Sequence, residues 1–136
     1  LTAQGITLAQ GSVIECNYSI EAGRAACRQL LTANAPPTAI LCSNDVLATG
    51  ALLECQASGI EVPGSVSITG FDDLAISANL TPSLTTMHIP FKLMGQRAAQ
   101  YLIDRLAGAT SQTQQQLEVE LRLRHSTAAP KLPLLV

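Results

Sequence analysis

The sequence predicts an α/β domain: a three-layer parallel sheet with helices on both faces. Three observations carry that prediction. Short apolar runs alternate with stretches of helical periodicity in a β-α-β-α-β order, which calls for right-handed crossovers onto a parallel sheet. One run, Thr-Ala-Ile-Leu-Cys at 38–42, is almost uniformly apolar, as befits a strand buried on both faces. The runs are punctuated by Gly, Pro, Asn, Asp and Ser, the residues of turns and caps.

Taken in order, residues 1–4 before Gly5 read as the last turn of a helix that starts upstream. With no initiator Met and no capping pattern, the chain is expected to begin inside a longer one. Residues 13–16 make a short strand candidate. Ser19 is a good N-cap, and Ile20, Ala22, Ala26, Leu30 and Leu31 recur at helical spacing up to Ala33, where Pro36 and Pro37 stop the helix. Helical spacing returns from Asp45 to Ala57, with Asp45 as its simplest N-cap and Gly59 at the C′ position.

After a Pro63-Gly64 turn, residues 66–69 form a strand ending at Gly70. Thr81-Pro82 breaks the chain before another strand, 84–88, closed by Pro90. Phe91, Met94, Ala98, Ala99, Leu102, Ile103 and Leu106 then line one stripe of a helix, with Gly108 as its stop. Residues 109–116 are a polar, Gln-rich loop. In 117–125, Leu117, Val119, Leu121 and Leu123 face one way; Glu118, Glu120, Arg122 and Arg124 face the other. That pattern predicts a half-exposed strand whose charges form a solvated ladder.

Composition excludes several functions. The 136 residues are 47% hydrophobic and 13% charged, enough for one domain with a real core. Eight Lys+Arg against ten Asp+Glu supply no basic face for nucleic acid. No run of about 18 apolar residues occurs, so no membrane span is expected, and residues 1–10 lack the features of a signal peptide. Cys16, Cys27, Cys42 and Cys55 lie in or beside apolar stretches and read as buried, reduced thiols of a cytoplasmic protein. Zinc would need tighter ligand spacing, and His88 and His125 each stand alone. No Gly-x-Ser-x-Gly, Walker loop, His-Glu helix pair or Gly-x-Gly-x-x-Gly occurs. No catalytic residue, metal or cofactor is therefore expected.

The functional signal is convergence. In open α/β sheets, ligands bind beyond the carboxyl ends of the strands. Asn17-Tyr18-Ser19, Ser43-Asn44-Asp45 and Gly70-Phe71-Asp72-Asp73 all fall there. Asn44 is either a turn residue or a side chain exchanging hydrogen bonds with a ligand. Asp72 and Asp73 are one cap and one solvated charge, or one of them accepts from adjacent ligand hydroxyls. Being adjacent, they diverge rather than share a proton. Tyr18 either stacks on a planar or sugar face or covers the core; Tyr101 reads as packing.

The string Pro37-Thr-Ala-Ile-Leu-Cys-Ser-Asn-Asp-Val-Leu-Ala-Thr-Gly-Ala-Leu-Leu carries a resemblance. With Gly59-Ile-Glu-Val-Pro, Val66-Ser-Ile-Thr-Gly-Phe-Asp-Asp, Pro82-Ser-Leu-Thr-Thr, Met94-Gly-Gln-Arg-Ala-Ala-Gln-Tyr-Leu and Leu123-Arg-His-Ser-Thr, it closely resembles the lactose/galactose repressor (LacI/GalR) family of bacterial transcription regulators. Members join a helix-turn-helix, a hinge helix and a two-lobed effector-binding domain like the type I periplasmic binding proteins. The resemblance implies that 1–88 is the C-terminal lobe of that domain and that 89–116 crosses to an N-terminal lobe outside this sequence. It makes 117–127 the return strand and 128–136 a tail.

It further implies that Asn44 and Asp72 bind polar groups of a small effector, a sugar or sugar derivative. Tyr18 stands where members place an aromatic against the ligand, Phe71 lines the same cleft, and Asp45 keeps its capping role. Val46, Thr49, Leu53 and Leu80 match the surface through which members form homodimers. Operator DNA would be reached only through the N-terminal domain, and the protein would be cytoplasmic. Two features depart from the family. An effector-binding Arg that many members carry would lie before Leu1, and Gly64 and Ser65 replace frequent acidic residues. The alternative is a periplasmic sugar-binding protein serving a transporter; the thiols and the Arg122-x-Arg-His-Ser-Thr ending favour the repressor.

Overall fold

In the computed structural model, which describes residues 3, 5, 7–109 and 114–130, the first helix starts where the capping pattern places it. Ser19 is extended, and its Oγ accepts from the Ala22 amide at 3.1 Å, opening α1 (Ile20–Leu31). The strand β1 (Ala39–Leu41) follows, then α2 (Asp45–Ala57). Gly59, at φ +67°, closes α2 in a Schellman turn: the Ile60 amide donates to Cys55 O at 2.9 Å and that of Gly59 to Gln56 O. β2 (Ser67–Thr69), a 3₁₀ turn at Ser77–Asn79, β3 (Thr86–His88), α3 (Phe91–Leu106) and β4 (Glu120–Arg122) complete the order.

β1 and β2 pair in parallel, Ile40 opposite Ile68, and two isolated parallel bridges, Thr69 to Thr85 and Asp72 to His88, continue the sheet towards β3. β3 and β4 form an antiparallel ribbon with Met87 opposite Leu121. Helices α1 and α2 pack over the face bearing Ile40 and Ile68, and with Cys27, Ala51, Leu52, Cys55, Val66 and Leu84 these residues form the core. Burying each larger aliphatic contributes about 1.5–3 kcal/mol. The described residues supply this one helix layer; on the other face Leu41 is 79% exposed.

Two glycines set the helix contact. A Cβ on Gly50 would lie 2.3 Å from Ile20 O, and one on Gly23 2.4 Å from Leu47 O, so only glycine lets the two backbones meet. Beside that contact the buried Glu54 accepts from Arg24 Nε at 3.2 Å and Arg28 Nε at 2.7 Å.

Three expectations are corrected here. Residues 13–16 form no strand, and Val13 and Cys16 are exposed. Cys16 is therefore not a buried thiol. Cys27 and Cys55 are buried, with their sulfurs 3.8 Å apart, and Cys42 is half-buried, its thiol pushed up to about 12 by burial and by Cys16. All four are free thiols.

The second correction concerns the last strand, which shrinks to Glu120–Arg122 and turns its arginines, Arg122 and Arg124, toward the body while Glu118 and Glu120 stay exposed. Leu121 and Leu123 are 58% and 73% exposed, while Arg124 is mostly covered. An acidic side chain, Asp73, waits on the body side, and it outweighs the leucines because no described surface lies opposite them. Third, neither histidine stands alone: His88 Nδ1 lies 3.0 Å from Asp73 Oδ2, and His125 Nδ1 lies 2.8 Å from Ser83 Oγ. Most of the helix turn expected at 1–4, and most of the tail, fall outside the described residues.

Candidate ligand-binding site

The loops after β1 and β2 meet at the carboxyl edge of the sheet because their backbones are stitched together. Cys42 N donates to Thr69 O and Asp45 N to Phe71 O, each at 2.9 Å. Gly70 N then reaches Thr85 O at 3.0 Å, and Asp72 N reaches Met87 O at 2.9 Å. The site is thus framed by main-chain bonds before any side chain is considered.

The capping role that the sequence gives Asp45 falls to Asn44. Asn44 is the extended residue before α2, and its Oδ1 accepts from Leu47 N at 2.9 Å, so Asn44 is the N-cap. That bond uses the side-chain oxygen and leaves the amide nitrogen, at the half-exposed edge, to donate elsewhere. Asp45, the first helical residue, does not cap. It is fully buried, with Oδ2 accepting from Leu74 N (2.9 Å) and Ser77 Oγ (2.5 Å), and Oδ1 from Thr86 Oγ1 (2.5 Å). One carboxylate therefore ties α2, the 72–77 loop and β3 together. Gly70 is required beside it, because a Cβ there would sit 2.2 Å from Asp45 Oδ1. Ser77 and Thr86 were invisible in the sequence as partners; no spacing announces a contact 32 or 41 residues away.

Asp72 and Asp73 occupy φ +128° and +59°, conformations costing an L residue of order 1–3 kcal/mol. Asp73 is neither a cap nor a solvated charge. Its Oδ1 accepts from Arg124 Nη2, its Oδ2 from His88, and Arg122 Nε stands 3.8 Å away. Burial works against ionising Asp73, but the hydrogen bonds and charges of Arg124 and His88 hold its carboxyl below the usual range. Asp72 faces the opposite balance. Partial burial and the nearby Asp45 charge raise its carboxyl above the ordinary value.

Two aromatic side chains stand open. Tyr18 is 72% exposed and Phe71 40% exposed, so neither is spent on the core. Tyr18 precedes the start of α1, which the Gly50 contact holds against α2. Among the described residues no group of three His, Cys, Asp or Glu is placed to hold a metal.

The four residues matched to a dimer surface are spread in burial. Thr49 is buried, its Oγ1 donating to Asp45 O at 2.7 Å; Val46 and Leu80 are half-buried, and Leu53 is exposed. α3 has no buried residue, and its stripe from Met94 to Leu102 borders an open groove with Gln115 and Leu117. No helix among the described residues is long and apolar enough to cross a membrane.

The periplasmic binding protein-like domain family matches residues 2–127. The HTH-type transcriptional repressor PurR of Proteus mirabilis is 35% identical over 118 residues, covering 87% of this chain and 34% of the repressor. A solved transcriptional regulator of the LacI family from Burkhoderia phymatum superposes with a TM-score of 0.80 at 39% identity, covering 94% of this chain and 46% of the regulator. A LacI family transcriptional regulator from Enterococcus faecium, solved with bound ribose, gives 0.77 at 30% identity over 85% of this chain and 42% of its own. The chain thus spans about a third of the curated relative and under half of the solved regulators. With the family match running over nearly its whole length and these regulators sharing both sequence and fold, the chain belongs to the periplasmic binding protein-like domain family, as an effector-binding domain of the LacI/GalR type.

Proposed function

We propose that this chain is the C-terminal lobe of a cytoplasmic LacI-type repressor's sensor, binding a small polar effector, a sugar or sugar derivative. The observation that carries this reading is the edge where Phe71 stays open beside Asn44 and Asp72 on stitched loops, with Tyr18 exposed ahead of α1. The ribose bound to the Enterococcus faecium regulator supports a sugar. The relatives are regulators of transcription, which favours this reading over a transporter's binding protein. It also makes the protein a sensor rather than an enzyme.

In this reading the β3–β4 ribbon leads to a second lobe, to which α3 and the rest of 89–116 belong; the fully unburied stripe of α3 supports that. Effector binding would close the lobes and shift the equilibrium of a dimer built on Val46, Thr49, Leu53 and Leu80, and DNA would be held by a separate domain. A thermal-shift screen of sugars and nucleobases on the intact protein identifies the effector. In calorimetry with that effector, Asp72→Ala should bind about tenfold to a hundredfold more weakly, because one charged hydrogen bond contributes about 1.5–3 kcal/mol. Unaltered affinity would remove Asp72 from the site.

A further inference from the structure

Asp72 owes its place to residues that would touch no ligand. The loop that offers it is bent through two left-handed aspartates, and such a loop persists only where its surroundings over-determine it. The surroundings are a clasp. Arg124, reaching across from the end of β4, donates Nη1 to Leu84 O at 2.7 Å and Nη2 to Asp73. Its own amide donates to Thr85 Oγ1 at 3.0 Å. His88, at the end of β3, holds the other Asp73 oxygen. The planar guanidinium suits this double duty, since its fork serves a carbonyl and a carboxylate at once.

We propose that Arg124, acting through Asp73, is a positioning residue for Asp72, locking the ligand-facing loop to the β3–β4 ribbon. This rests on Asp72 being a ligand contact. The loop and the ribbon move as one unit, so a displacement of the ribbon is felt at Asp72 without any contact between ligand and ribbon. The inward turn of Arg122 and Arg124, against the polarity of their strand, has its reason here.

The test reads the loop directly and needs no effector. By NMR of the intact protein, amide exchange of Asp72 and Leu74, whose N–H groups donate to Met87 O and Asp45 Oδ2, should quicken about tenfold or more in Arg124→Gln. Amides of Ala51 and Leu52 in α2 should keep their rates. The titration midpoint of Asp72 gives a second, signed readout. Freeing the Asp73 charge would by itself raise it. Release of the loop from its covered position near Asp45 lowers it, and a net fall is expected.

Arg124→Lys keeps the charge but lacks the fork, and should give intermediate exchange; if Arg124→Gln does not fold, the same two readouts in Arg124→Lys decide. Unchanged exchange, a rising Asp72 midpoint, or acceleration extending into α2 would each overturn the proposal. A failure of Asp72→Ala to weaken effector binding strikes the ligand assignment and leaves these loop measurements standing, so the two failures are told apart.

Discussion

Removing the Asp45 carboxylate should unfasten the ligand edge from below. In Asp45→Ala three donors lose their acceptor: the Leu74 amide and the hydroxyls of Ser77 and Thr86, both of which are buried. An orphaned buried donor costs about 1–3 kcal/mol, and the two hydroxyls can rotate to recover part of theirs. Adding the void left by the side chain, the total comes to about 3–5 kcal/mol, comparable with breaking a buried charge network. A domain of this size holds only about 5–15 kcal/mol in all. Asp45→Asn keeps one oxygen, which can still serve Leu74 and Ser77, and its amide can donate to a reoriented Thr86 hydroxyl; its cost should be about 1–2 kcal/mol. Equilibrium urea unfolding followed by circular dichroism measures both. An alanine variant within about 1 kcal/mol of the parent, or an asparagine variant as damaging as alanine, would refute the network as described.

Gly50→Ala drives a Cβ into Ile20 O, and separating α1 from α2 should cost about 2–3 kcal/mol, exceeding the gain of about 1 kcal/mol in helix propensity; a midpoint in urea at or above the parent's would contradict this. Leu53→Glu places a charge on the exposed side of α2 and, at a two-fold interface, opposite its own copy, so the proposed dimer should sediment as monomers; an unweakened dimer would exclude that surface. Asp73 has a depressed carboxyl in the folded state, so its stabilisation is present above its unfolded value of about 4 and is lost as the pH falls through the lower folded value. Asp73→Asn should therefore flatten the acid limb of stability below about pH 4, which urea midpoints measured from pH 3 to 6 will show or deny.

Elements whose cause is local were legible in the sequence. Ser19, Gly59 and the apolar spacing of Asp45–Ala57 and Phe91–Leu106 each act within one or two turns, and the helices form where those signals place them. The order of runs likewise fixed a parallel arrangement for β1 and β2, because crossover chirality and sheet direction follow from connectivity. The loops after β1 and β2 were found for the same reason, whereas Asn17-Tyr18-Ser19 follows no strand. What the tertiary structure alone decided is which partner each polar side chain takes. Asp45 and Asn44 are adjacent and both able to cap, and only the buried hydroxyls of Ser77 and Thr86 draw Asp45 inward. Asp73, His88 and Arg124 carry no mutual spacing, yet they meet because β3 and β4 fold back past the loop after β2. Periodicity names the two faces of a strand but not the side on which the body lies. Around β4 that choice went to a carboxylate brought from 51 residues away, because pairing a half-buried charge outweighs covering leucines for which the described residues offer no surface.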